Sequence, residues 1–235
     1  MKRVCEAEIL DQDGGSPSEI ASALESIRRI NLRFGGNRMH TRLLRRAAAH
    51  IETQRKLHLL EVASGQADVL QAAVRQLNWQ HRCSITLLDR SAQHLPSAAS
   101  WPPDLPAPER ITGDALAIPL ADQSVDIVAC CLFLHHLDEQ QARVFLKEAL
   151  RVARVAVIVN DLERNRLHYL LARLAALMDP SRISRHDGPV SVRQAYTAGE
   201  LRSLLRQTGQ RFELPRGFLF RLGAVLWKDP APHAA

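Results

Sequence analysis

Residues 57–70 read LHLLEVASGQADVL. An apolar run ends in an acid, Glu61, and a turn of very small residues, Ala63 to Ala67, follows it. A strand that is apolar at nearly every position is buried on both faces, the habit of a parallel sheet covered by crossover helices. In doubly wound sheets of this kind, ligands bind beyond the carboxyl ends of the strands, beside the point where strand order reverses. Glu61 stands at such an end. The small residues after it let backbone N–H groups come close to a ligand, and Gly65 puts no Cβ in the way. The stretch therefore predicts a doubly wound α/β fold with a ligand at the exit of its first strand.

The same rhythm continues along the chain. SITLLD (84–89), SVDIVACCLFL (124–134) and VAVIVND (155–161) are further apolar runs separated by helix-like segments, an alternation that predicts parallel strands with helices on both faces. LPSAASWPPDLPAPER (95–110) has too much proline for a long helix and reads as an extended surface loop. At the other end, Thr197 and Glu200 form a capping-box signature before LRSLLRQTG, whose Gly209 is a stop. RFELPRGFLFRLGAVLWK (211–228) then reads as two strands forming an antiparallel edge.

Ahead of the first strand, residues 1–15 read as a frayed tail. Ser18 is placed to cap a helix with Ile20, Leu24, Ile27 and Ile30 on one face, ending near Asn31. After the break at FGGN, a second helix is expected from Arg38 to Thr53, with Leu43, Leu44, Ala47, Ala48 and Ile51 as its stripe. The expected organisation is a tail and helical cap over residues 1–55 and a ligand-binding domain over 56–235. Within the latter, an amphipathic helix from about residue 162 to Met178, bearing Leu167, Leu170, Leu171, Leu174 and Leu177, suits a lid or substrate wall.

Composition bounds the function. With 235 residues, 46% of them apolar, the chain has enough for one large domain. Its four cysteines show no C-x-x-C spacing, so neither a disulfide framework nor a zinc site is expected, no metal is expected, and a reducing cytoplasm fits. No apolar stretch is long enough to span a membrane, and the first residues lack a secretory core. The formal charge is +6, with arginines clustered between Arg28 and Lys56. Aromatics do not alternate with those charges, so a solvated basic face is favoured over a nucleic-acid footprint.

The ligand can be narrowed by elimination. A dinucleotide fingerprint needs glycines where Ala63, Gly65 and Asp68 stand, and an acid at the third position opposes a pyrophosphate. The G-K-[ST] of a phosphate loop is absent. A nucleoside ligand without phosphate remains. Asp89, ending the second run, can accept two ribose hydroxyl protons. Asp114 in ITGDALAIPL can accept from an adenine amino group, with Ala115 and Leu116 against the ring. Farther on, FLHHLDEQQ sets His135 and His136 beside Asp138, a helix cap, at the edge where chemistry would occur.

Over roughly residues 57–160 these segments resemble the class I S-adenosylmethionine-dependent methyltransferases, especially their quinone-biosynthesis-like branch. The later segments VIVNDLERNRL and RHDGPVSVRQAYTAGEL look like small-molecule methyltransferases found beside bacterial type III polyketide synthases. The resemblance implies a Rossmann-like fold with a mostly parallel seven-stranded sheet. It also implies S-adenosylmethionine as cofactor, its methionine part held by Glu61, Ala63 and Gly65. The ribose would fall to Asp89 beside Arg90, the adenine to Asp114 and Ala115, and Leu132 would complete the cofactor set. Two departures stand out: Ala63 and Ala67 occupy usual glycine positions, and RVARVAVIV replaces the usual P-G-G turn before the fifth strand.

The implied activity is methyl transfer to a hydroxyl of a small, hydrophobic aromatic, quinone-like or polyketide molecule, by a monomer or homodimer. His186, oriented by Asp187 in a loop after the lid helix, is the first candidate for a base, and His135 or His136 the second. Asn160, Asp161, Asp187 and Tyr196 are the candidate substrate contacts. Two rivals remain. One is an RNA or other nucleic-acid methyltransferase, against which the missing (D/N/S)-P-P-(F/Y) segment argues. The other is a catalytically inactive partner protein of the same fold.

Overall fold

The computed structural model describes residues 1–228 except 13, 53 and 218. Its centre is a seven-stranded sheet: β1 (Leu57–Val62), β2 (Cys83–Asp89), β3 (Glu109–Thr112), β4 (Val125–Cys131), β5 (Ala153–Leu162), β6 (Arg211–Glu213) and β7 (Arg221–Trp227). The order is β3-β2-β1-β4-β5-β7-β6, parallel from β3 to β5, with β7 antiparallel to β5 and β6 antiparallel to β7. Strand order reverses between β1 and β4.

The period-two geometry of a strand divides the apolar runs between two cores. Leu60 and Val62 of β1 face one core, filled by Phe145, Leu146 and Ala149 of α4 (Glu139–Val152) and by Leu201, Leu204 and Leu205 of α7 (Ala198–Arg206). Leu57 and Leu59 face the other. There Leu43, Leu44 and Ala47 of α2 (Gly36–Ala48) pack with Leu70, Ala73 and Val74 of α3 (Asp68–Gln76). Burying each such leucine or phenylalanine contributes about 1.5–3 kcal/mol, which is why the runs could be read as doubly covered strands. The stretch over 95–110 is irregular, as its prolines require, yet Trp101 and Leu105 are buried.

A third layer lies over the carboxyl edge of the sheet. It consists of α1 (Pro17–Arg33), α5 (Arg166–Ala176), α6 (Arg182–Gln194) and the segment before α1. Its own core is small: Ile20, Ala23 and Ile183, with Ile9, Leu10 and Leu24 against them.

Several local expectations need correction. The first residues are not frayed: Arg3 donates to the carbonyls of His135, Leu137 and Gln194, and Asp187 accepts from the backbone N–H groups of Ile9 and Leu10. The cap of α1 is Ser16, in a full capping box with Glu19, and not Ser18. The second helix stops at Ala48 and α2 lies against β4, β5 and β7; Thr53 is outside the described residues. His186 and Asp187 are not in a loop but inside α6, which runs through Pro189. The helix expected over about 162–178 is the shorter α5, and no residue of it lines the cavity described below.

Candidate active site

A cavity of about 530 Å³ opens at the carboxyl edge beside the β1/β4 reversal. Glu61, Ala63, Gly65, Asp89, Arg90, Asp114, Ala115 and Leu132 all line it, and so do His135 and His136. The order of the strands brings them together: Glu61 is near the end of β1, Asp89 ends β2, Asp114 follows β3, and Leu132 follows β4.

The turn after β1 is wound left-handed at Ala63 (φ 50°), Gly65 (φ 48°) and Ala67 (φ 55°), and Leu132 has φ 55°. Gly65 donates its N–H to Asp89 Oδ2 at 2.9 Å, and Ser91 donates to Asp89 Oδ1 at 3.1 Å, tying the turn to the tip of β2. Burial pushes the Asp89 carboxyl up, but His94 and these two N–H groups outweigh it and hold the group below its ordinary value. Asp114 accepts from the N–H of Leu116 at 2.8 Å, the short turn that sets Ala115 at the wall.

Glu61 is the least satisfied of these acids. It is 3% exposed, and its Oε2 accepts no hydrogen bond within the described residues. The nearest cationic candidate is His40 of α2, whose Nε2 lies 3.3 Å away without hydrogen-bond alignment. A buried carboxylate oxygen left so costs energy unless a ligand supplies a donor. Above Gly65 a Cβ would meet nothing within 4 Å, so the turn borders open space. A buried acid with one oxygen accepting no hydrogen bond, a bare turn and a second carboxylate around one cavity fit a cationic, hydroxyl-bearing nucleoside.

The opposite wall is a histidine–carboxylate group. His135 Nδ1 lies 2.6 Å from Asp161 Oδ1, and the His135 backbone N–H donates to Asp161 Oδ2 at 3.0 Å. Burial alone would lower the His135 pKa; Asp161 and Glu8 reverse that and push it up to about 10. Asp161, although buried, is held below its ordinary value mainly by His135. His136 Nδ1 lies 2.6 Å from Asp11 Oδ2. Glu8, 6% exposed, accepts at Oε1 from Ser191 Oγ (2.7 Å) and Gln194 Nε2 (3.0 Å).

The other candidate residues lie outside the cavity. His186, first choice for a base, is on α6 with its side chain 43% exposed and bonded to Asp187. Asp187 is occupied by the first segment's N–H groups. Asn160 is fully buried, its Nδ2 donating to the carbonyl of Gly36. The Tyr196 hydroxyl donates to the carbonyl of Leu137. Asp161 stands one side chain behind the wall, bonded to His135. Conversely, sequence reasoning missed Glu8, Asp11 and His40. His40 had a signal, sharing the helical stripe of Leu43, Leu44 and Ala47. Glu8 and Asp11 had none, because only tertiary docking brings them here.

Comparison with known proteins agrees with the geometry. Residues 60–158 match the family described as "Methyltransferase domain". No curated protein matches the sequence. The fold is similar to a SAM-dependent methyltransferase from Aquifex aeolicus: 18% identity, TM-score 0.62, 92% of this chain and 100% of that one covered. The plantazolicin methyltransferase BpumL in complex with SAH is 14% identical with TM-score 0.69, covering 94% of each chain. Magnesium protoporphyrin IX methyltransferase from Synechocystis with bound SAH is 13% identical with TM-score 0.55, covering 85% of each. The match to the methyltransferase family thus covers residues 60–158, and the fold around them is similar to that of these solved methyltransferases.

Proposed function

We propose that the protein transfers a methyl group from S-adenosylmethionine to a hydroxyl of a small aromatic, quinone-like or polyketide molecule. The observation that carries the cofactor half is the convergence of Glu61, Asp89 and Asp114 on one cavity around the bare turn at Gly65. Glu61 would receive the ammonium of the methionine part, Asp89 the ribose hydroxyls, and Asp114 with Ala115 the adenine; Ala63, Arg90 and Leu132 complete the walls. When bound, the cofactor supplies a methyl already activated by its sulfonium. The chain's own task is to hold an acceptor in line at about 3 Å and keep water out.

The acceptor half rests on the roof. Leu24 and Ile27 of α1 and Leu10 give the cavity an apolar side, while Glu8, His135 and His136 give it a polar end. A flat apolar molecule with one hydroxyl matches that division. The relatives named for plantazolicin and magnesium protoporphyrin IX support a non-polymeric acceptor by analogy of fold.

Calorimetry with S-adenosylhomocysteine tests the first half. A one-to-one binding heat is expected from the protein, with Glu61→Gln weakening it at least about tenfold, the loss of one charge-assisted contact; absence of any heat at millimolar ligand would overturn the reading. A panel of phenols and hydroxyquinones with labelled cofactor tests the second. Transfer to RNA and to none of the panel would replace it with the nucleic-acid alternative.

A further inference from the structure

We infer that Glu8, His135 and His136 form a binding site for one divalent first-row transition ion at the acceptor end of the cavity. Glu8 is remote in sequence from the adjacent His135 and His136, yet the three offer one ligand atom each within 4.8 Å of one another. His135 Nε2 is 3.5 Å from Glu8 Oε1, and His136 Nδ1 is 4.0 Å from the same oxygen. Two donors bound to one tetrahedral ion at about 2.1 Å stand about 3.4 Å apart, so these spacings suit a shared ion better than direct hydrogen bonds.

The surroundings are built in the manner of metal sites. Ligating histidines commonly fix their other ring nitrogen on a carboxylate, and ligating carboxylates are themselves hydrogen-bonded. His135 does the first through Asp161, and Glu8 the second through Ser191 and Gln194. The His136 Nδ1 atom is buried and has no aligned hydrogen-bond acceptor, and Asp11 Oδ2, 2.6 Å away, is close enough to pair with it when no ion is bound. Two carboxylates at the cavity, Glu8 and Asp11, and a third behind its wall, Asp161, therefore surround the two imidazoles. Two histidines and a carboxylate with an open side are ligands for Zn2+, Fe2+ or Mn2+. The expectation of no metal followed from cysteine spacing, which is silent about histidines. All three ligands also line the cavity, so the ion's open side faces the space left for the acceptor. That last role rests on the methyl-transfer reading; the binding of metal does not.

The test uses the full chain after chelator treatment, titrated with Co2+ alone by absorption and with Zn2+ alone by calorimetry. One equivalent of each should bind, the Co2+ spectrum showing d–d bands without thiolate charge transfer. Glu8→Gln and His136→Ala should each weaken binding at least about tenfold, while the exposed His81→Ala should not. Circular dichroism checks that the variants fold. Absence of stoichiometric binding, or binding indifferent to both Glu8→Gln and His136→Ala, overturns the site. Retained binding of S-adenosylhomocysteine in that case would leave the methyltransferase reading standing on its own.

Discussion

Ala63 and Ala67 hold φ values of 50° and 55°, a conformation that costs an L-residue about 1–2 kcal/mol. Glycine adopts it freely but brings about 0.5–1 kcal/mol of extra unfolded-state entropy. Ala63→Gly and Ala67→Gly should therefore each stabilise the protein by about 0.5–1 kcal/mol, a rise of about 1–4 °C in Tm for a chain of this size. Differential scanning calorimetry reads this directly, and a fall in Tm would show that the methyl groups contribute packing that outweighs the strain. Asp89 makes a separate, pH-dependent prediction. Its carboxyl is buried yet held low by His94 and the N–H groups of Gly65 and Ser91, so its stabilisation is complete above the ordinary aspartate range. It is lost as pH falls through the lower folded value. The stability difference between the native chain and Asp89→Asn should stay constant from about pH 7 to pH 5 and shrink below about pH 4. A difference that persists at low pH in urea titrations would count against this origin.

At the level of elements, α5 presents a row of leucines outward: Leu167, Leu170, Leu171 and Leu174 are each roughly half exposed. Apolar side chains already in water lose little when made polar, so Leu170→Gln with Leu174→Gln should change stability by less than about 0.5 kcal/mol. Phe145→Ala in α4, removing a fully buried ring, should cost about 3–5 kcal/mol. Chemical denaturation compares the two; a large loss from the leucine pair would mean that this row is covered in solution. The same contrast explains what could be read from the chain. Strands β1, β2, β4 and β5 were legible because burial on both faces forces continuous apolar runs, and the capping box of α7 is a local signal. Helix α6 was not, because Asp187, Gly188 and Pro189 have the chemistry of a turn. Packing on α1 and α5 holds it helical all the same, and Asp187 is used to fasten the first segment. That Glu61, Asp89 and Asp114 would meet around one cavity was legible since they stand at or just past strand ends; the roof was not, since Glu8 and Asp11 carry no periodicity.

For the whole molecule, the sheet and its two large cores contrast with a roof whose own apolar core is a handful of side chains. No helix among the described residues is long and apolar enough to cross a membrane. The contacts that close the cavity also span great distances along the chain: Arg3 reaches the carbonyl of His135, and Glu8 reaches Gln194. Closing loops of that length is entropically costly until a scaffold exists to receive them. The order of assembly follows. Trp79, Trp101 and Trp227 all lie in one core of the sheet, so their fluorescence reports the scaffold. In refolding from urea that signal should recover in an earlier phase than the capacity to bind S-adenosylhomocysteine, the pocket being finished last by the segment that precedes α1.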